Sequence, residues 1–388
     1  VEGFPVSGGA DKFVAFLAGE LMPYINRTYP TSGNNTLYGH SFGGTFCLYA
    51  LLTRPGLFSS YLAADPAWWW DKYYLHTLAG EKLAGLAGQN QLFWFTATEG
   101  SVKGMGIDSV AALLREKAPA GLHWKHAVYP DETHVSVQLK TVYDGLRYLY
   151  RGYNKQIEFH PMNGTVLADR PFKIMAIEPG KDMHYTTDGT EPTAASDPVT
   201  RELTLPGPAI LKVKALTDGG RFDQTVTGQF RAGKALAAGS LPKKATPGGL
   251  RYAYYPGKWD ALPDFRTLKP AQSGRMDGEF SLGKLPAENH YALRAEGYLR
   301  VEEGYHMFAL RADDAARLYI GDQLVIDSRA APGKNKFQTY LLPLQKGFYP
   351  IRLEYLQQDG ERNLNLFYVA PGNDNPQLIP WDRQYSQP

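Results

Sequence analysis

Apolar positions in the first 150 residues recur in two alternating rhythms. Between residues 8 and 29, Phe13, Phe16, Leu17, Leu21, Tyr24 and Ile25 fall three or four apart, which predicts one face of an amphipathic helix. Pro23 lies inside that pattern and predicts a kink, because it removes a backbone hydrogen bond. Short apolar runs follow at residues 36–39, 61–64, 92–97 and 123–129, with helical spacing at 44–52, 108–117 and 134–150. Strands alternating with helices predict a parallel sheet covered on both faces.

After Gly152 the helical rhythm stops. Residues 157–231 hold β-branched and aromatic runs separated by turn signals such as Asp188-Gly189 and Pro206-Gly207, the pattern of a small β-sandwich. Residues 233–249 are rich in Ala, Gly, Lys and Pro and are expected to be an interdomain linker. Residues 250–370 are again strand after strand, a second and larger β domain. The Pro- and Asn-rich tail, 371–388, is expected to be an extended strap or disordered.

Composition narrows this picture without changing it. Of the 388 residues, 43% are hydrophobic and 21% charged, which excludes wholesale disorder. No apolar run approaches the ~18–20 residues of a membrane helix, so no membrane span is expected. The net charge of +2 is too balanced for a nucleic-acid or acidic-membrane footprint. The 25 Tyr and 7 Trp suit surfaces that bind sugars or other flat ligands. One cysteine, Cys47, excludes an internal disulfide framework and a Cys-ligated zinc site. The chain opens on Val1 with no Met and no visible signal peptide, so it is expected to begin in the middle of something.

The sharpest chemical signal is Leu37-Tyr38-Gly39-His40-Ser41-Phe42-Gly43-Gly44, a Gly-x-Ser-x-Gly pattern between a strand and a helix. That is a nucleophile elbow, with Ser41 on a strained turn and a glycine two residues either side avoiding collision. The Phe42 backbone N–H then points at a developing oxyanion. A base is expected after the last strand of the region, where His134 sits in Tyr129-Pro130-Asp131-Glu132-Thr133-His134. An acid to orient it is expected after the preceding strand, which favours Glu99, with Asp108 as the alternative. Of Trp68, Trp69 and Trp70, at least one is expected in the core and one in the substrate pocket, which His40 flanks. Cys47, inside the elbow helix, reads as a buried inert thiol.

The stretches 8–13, 20–25, 39–44, 66–71 and 129–134 closely resemble the esterase D-like hydrolases, including family 1 carbohydrate esterases and ferric-enterobactin esterases. The resemblance covers residues 1–152 and implies an α/β-hydrolase domain with Ser41 as nucleophile, His134 as base and no cofactor for catalysis. It also implies a departure. Four strands are offered where that fold has about eight, so the N-terminal strands are expected to be absent, or supplied by a missing N-terminal segment. A second oxyanion donor would lie there, and the chain as written is expected to fall short of a competent site.

Residues 157–231, through His184-Tyr185-Thr186-Thr187-Asp188-Gly189-Thr190-Glu191-Pro192, resemble the immunoglobulin-like C-terminal domain of chitobiases, expected here as a spacer. Residues 250–370, through the stretches 308–327 and 347–355, resemble the PA14 β-sandwich of glycosidases, adhesins and toxins. Asp313-Asp314 stands where lectin-like members coordinate Ca²⁺ against sugar hydroxyls, although Ala315 replaces the usual glycine. The expectation is a multidomain protein, a partial α/β-hydrolase followed by two β-sandwiches, secreted, periplasmic or at the cell surface. It would be a serine esterase acting on acyl or feruloyl esters of polysaccharides. The alternatives are a siderophore trilactone esterase, or a non-catalytic carbohydrate-binding or adhesion protein carrying a hydrolase remnant.

Overall fold

The computed structural model describes residues 7–154, 156–276, 280, 282–286, 289–328 and 337–387. Val1, on which the expectation about the chain's start rests, lies outside them. Contacts divide the chain into two units, residues 1–156 with 215–224, and residues 157–214 with 225–388.

The first unit begins with α1 (Ala10–Phe16), which runs through a π-helical turn (Leu17–Leu21) into α2 (Met22–Thr28). Pro23 is the second residue of α2 and directly follows the π-helical turn, where the hydrogen-bond register shifts within a continuous helical run. Then alternate β1 (Thr36–His40), α3 (Phe42–Thr53), β2 (Ser60–Ala64), α4 (Trp70–Lys82), β3 (Gln91–Thr98), α5 (Ile107–Lys117), β4 (Leu122–Tyr129) and α6 (Val137–Leu149). The four strands pair in parallel and in chain order, β1-β2-β3-β4. Side chains alternate across the strands. Phe93 and Phe95 therefore pack with Cys47, Leu48 and Leu51 of α3 and Val110 and Leu114 of α5. Leu62, Leu92 and Trp94 meet Tyr148 and Leu149 at the end of α6 on the other face. Only α4 escapes the sequence reading, because its opening turn is irregular: Asp71, Lys72 and Tyr73 all have positive φ.

Residues 215–224, read from sequence as part of the small sandwich, pack with the first unit instead. The Arg221 guanidinium donates to the carbonyls of Ser59 and Asn90. Asp218 pairs with Arg151 at 2.7 Å, and Phe222 stacks on Tyr150 and Tyr153 at 4.6 and 4.8 Å. Nothing in a polar stretch flanked by strands announces which surface it will cover.

The described residues of the second unit form β-strands with a few short 3₁₀ turns. Its strands are β5 (Glu158–His160), β6 (Asn163–Val166), β7 (Phe172–Ile177), β8 (Met183–Thr186), β9 (Asp197–Pro198), β10 (Glu202–Leu205), β11 (Ala209–Ala215) and β12 (Thr225–Ala232). They continue as β13 (Thr246–Pro247), β14 (Leu250–Pro256), β15 (Gln272–Met276), β16 (Tyr291–Val301), β17 (Gly304–Ala312) and β18 (Ala315–Ile320). The last are β19 (Gln323–Asp327), β20 (Gln338–Leu344), β21 (Gly347–Gln357), β22 (Leu364–Val369), β23 (Gln377–Leu378) and β24 (Gln384–Ser386).

The two β regions expected to be separate share a sheet. Its order is β23-β22-β17-β20-β6-β12-β11-β8-β9, so β6 stands between β12 of the smaller region and β20 of the larger. The expected linker is pinned rather than free: Leu236 N–H donates to Pro343 O and Gly239 N–H to Phe348 O, both at 2.9 Å. The tail is a strap that adds β23 and β24 to the two large sheets and buries Ile379 and Gln384. Among the described residues, no helix is long and apolar enough to cross a membrane.

The join at β6 depends on Gly164, where an added Cβ would lie 2.8 Å from Leu341 Cβ and 2.9 Å from its carbonyl oxygen. Gly164→Ala is therefore expected to destabilise the β unit by about 1–3 kcal/mol. Scanning calorimetry should show that unit's transition falling while the first unit's is unmoved.

Candidate active site

The site is assembled from the carboxyl ends of all four parallel strands, the edge where open α/β sheets place their ligands. Ser41 follows β1 with φ 55° and ψ −116°, a strained conformation for a residue with a Cβ. Its backbone is held on both sides: its N–H donates to Ala64 O at 3.0 Å, and its carbonyl accepts from Thr45 and Ala67 N–H at 3.0 and 3.2 Å. An added Cβ on Gly39 would lie 2.0 Å from Gly43 O, so only glycine fits there. Gly43 itself has open space where a Cβ would go, and the second close approach belongs to Gly44, whose Cβ would meet Pro66 Cβ at 2.9 Å. The constraint expected of the second glycine thus falls one residue later. Phe42 opens the twelve-residue helix α3, whose first turn presents backbone donors at its N-terminal end.

His134, in the turn between β4 and α6, lines the same cavity as Ser41, a cleft of about 550 Å³ that also touches Phe42, Asp65, Trp69 and Ser101. Its Nδ1 lies 2.7 Å from Oδ2 of Asp65, whose side chain is fully buried. The other oxygen of Asp65 accepts from the Thr98 N–H at 3.3 Å and from the Ser101 hydroxyl. A buried carboxylate persists only when such donors replace water. With Asp65 on Nδ1, the imidazole keeps its Nε2 edge for a second partner. His40 Nε2 is 2.6 Å from the carbonyl oxygen of His134, and the two rings lie 4.5 Å apart, so the elbow strand also braces His134.

The acid expected from sequence is therefore corrected. Glu99 follows β3 as anticipated but is exposed, and Asp108 is exposed in the first turn of α5, its Oδ1 accepting from the Ser109 N–H. The carboxylate that meets His134 comes from the end of β2, one strand nearer the elbow. The loop after β3 contributes Ser101 to hold that carboxylate. The signal available was Asp65-Pro66 at the end of a buried strand, and its meaning depends on β2 lying between β1 and β3. The tryptophans separate: Trp68 is buried against Phe95 at 5.1 Å, Trp69 lines the Ser41 cavity, and Trp70 lines its neighbour. His40 and Trp68 support the pocket rather than line it.

Three families match this chain: "Putative esterase" over residues 4–92, "Chitobiase/beta-hexosaminidase C-terminal domain" over 161–227, and "PA14 domain" over 249–379. The chain carries an esterase, a chitobiase-type and a PA14 domain, in that order. Over 83 residues it is 41% identical to the siderophore enterobactin esterase of Emericella nidulans, covering 21% of this chain and 27% of that protein. Over 73 residues it is 40% identical to the ferri-bacillibactin esterase BesA of Bacillus subtilis, covering 19% of this chain and 25% of that one. The chain thus spans about a quarter of the length of these curated relatives. A solved structure, the IroE-like serine hydrolase of Shewanella oneidensis, is 33% identical with a TM-score of 0.36, covering 39% of this chain and 50% of that one.

Beside the Ser41 cleft of the esterase domain lies a second cavity of about 620 Å³, with Phe42 on the wall between them and Phe46, Tyr49, Trp70 and Tyr74 around it. Cys47 is fully buried, its thiol directed at Leu62 O at 3.4 Å, and burial pushes its pKa up, so it is no second nucleophile. In the PA14 domain, Asp314 Oδ2 accepts the Gln358 N–H at 2.6 Å, and among the described residues no third acidic, His or Cys side chain joins Asp313 and Asp314. Those carboxylates alone do not furnish the six to eight oxygens of a Ca²⁺ shell.

The elbow geometry predicts opposite outcomes at two glycines. Gly39→Ala should cost several kcal/mol or prevent folding, because the clash is with backbone. Gly43→Ala, in a helix and in open space, should raise stability by up to ~1 kcal/mol. Chemical denaturation of the two variants checks both signs.

Proposed function

We propose that this protein is a serine carboxylic ester hydrolase acting on ester-linked siderophores. The observation that carries the reaction class is the gathering of Ser41, His134 and buried Asp65 at one cleft. Ser41 Oγ attacks the ester carbonyl while His134 Nε2 accepts its proton. Asp65 holds the Nδ1–H tautomer and stabilises the imidazolium that forms. The carbonyl electron pair moves onto oxygen, where the Phe42 N–H at the start of α3 would meet it. Collapse breaks the ester C–O bond, His134 returns the proton to the departing alcohol, and water then repeats the sequence on the acyl-enzyme.

The names of the relatives favour the siderophore reading over the polysaccharide ester expected first. One observation supports a glycan-linked role for the remainder: 24% identity over 196 residues to a beta-hexosaminidase of Porphyromonas gingivalis, with matched chitobiase-type and PA14 domains. These domains support a location outside the cytoplasm, secreted, periplasmic or at the cell surface.

The protein should hydrolyse p-nitrophenyl acetate and open ferric trilactones faster than methyl ferulate. Ser41→Ala should abolish turnover, and Asp65→Asn should lower kcat by about 10³–10⁴-fold. Ser101→Ala should lower it by about 10-fold through a loosened Asp65, while Glu99→Gln and Asp108→Asn stay within about two-fold. Full activity in Ser41→Ala, or a collapse in Glu99→Gln with Asp65→Asn unaffected, would overturn the assignment. A preference for methyl ferulate or acetylated xylan over the trilactone would restore the polysaccharide reading.

A further inference from the structure

The shared sheet creates a cleft that neither β region owns. Along one register row, Tyr340 of β20, Asn163 of β6 and Gln229 of β12 stand side by side on three adjacent strands. Gln338 lies two residues before the row on β20 and Arg231 two residues after it on β12, and Asp327 at the end of β19 joins the lining. Together they line a cavity of about 270 Å³ floored by buried Val325 and Ile326.

The lining carries one cation, Arg231, and is otherwise neutral and dense in hydrogen-bonding groups. Asp327 is paired with Arg317 at 2.9 Å, which removes its charge from the balance. Arg231 is held by Gln229 Oε1 at 2.9 Å, and Tyr340 by Thr165 at 2.9 Å. Asn163 accepts the Gln229 N–H at 3.2 Å through Oδ1, leaving its Nδ2 with no acceptor among the described residues. The Gln338 amide has no partner among them either. Amides on strands ~4.8 Å apart present donors and acceptors in a line. A ligand satisfying them carries several groups that each donate and accept, which is what successive hydroxyls do. The volume lies just under the ~300 Å³ where drug-sized pockets begin, which suits one ring rather than a chain.

We propose that this cleft is a saccharide-binding site, seating a single pyranose ring on the amides of Asn163, Gln229 and Gln338 against Tyr340. It is separate from Asp313-Asp314 and uses no metal. It exists only where β6 joins the two β regions, so the chitobiase-type region acts as part of a binding site and not as a spacer.

The test is binding of the full chain to a printed array of neutral and uronic-acid oligosaccharides, followed by calorimetric titration of the best binder. Gln338→Ala, which breaks no hydrogen bond among the described residues, should weaken binding at least 10-fold with the melting temperature unchanged. Asn163→Ala should weaken binding as much, with a small fall in melting temperature from the lost Gln229 N–H contact. Asp313→Ala with Asp314→Ala, and added EDTA, should leave affinity within two-fold. The proposal is overturned if the chain binds no glycan on the array. It is equally overturned if Gln338→Ala and Asn163→Ala bind as the parent does, or if binding is lost only with the Asp313 and Asp314 changes or with EDTA. Esterase assays on the same variants keep this outcome distinct from the catalytic reading, because none of these residues lies in the esterase domain.

Discussion

The bond between Asp65 and His134 is the contact around which the esterase domain's chemistry is arranged. A fully buried carboxylate has no water to fall back on, so its position depends on the donors built around it. Those donors come from three places: His134 after β4, and the Thr98 N–H and Ser101 hydroxyl at the end of β3. His40 at the end of β1 braces the same histidine through its carbonyl. Every strand of the parallel sheet thus ends in a group that fixes Asp65 or His134. Ser41 is tied to the end of β2 by the Ala64 and Ala67 backbone. Strain at Ser41 is tolerable because both of its peptide groups are hydrogen-bonded.

That Ser41 and His134 meet at one cleft could be read from sequence because their signals are local. A strand, a tight glycine-flanked turn and a helix identify Ser41, and a strand end followed by a helix identifies His134. The carboxylate beside His134 could not be read that way, since its place depends on which strand ends become neighbours. Glu99 is expected at the end of the strand before the one that leads to His134, whereas the carboxylate that meets His134 stands one strand earlier. The four-strand alternation was legible from hydrophobic rhythm. Helix α4 was not, because its first residues adopt positive φ and break the helical spacing at the tryptophan run.

In the second unit, strands were legible one by one, and their partners were not. β6 is four residues long and carries a glycine, a weak strand signal, yet it is the element on which the two β regions join. Gly164 lets Leu341 approach closely enough for that pairing. The expected linker and tail likewise have loop-like composition but satisfy their backbone groups against the large sheets. Composition reports which residues can be exposed, while pairing is decided by the edges that other strands leave open.

The central claim is that Asp65, and not Glu99, works through His134 on Ser41. Covalent trapping reads this without any choice of substrate. The rate at which a fluorophosphonate probe adds to the protein can be followed by intact mass, and the adduct located by peptide mapping. The account predicts one adduct on Ser41, formed orders of magnitude more slowly in Asp65→Asn and at the parental rate in Glu99→Gln. Parental labelling in Asp65→Asn, or an adduct on any residue other than Ser41, would contradict it.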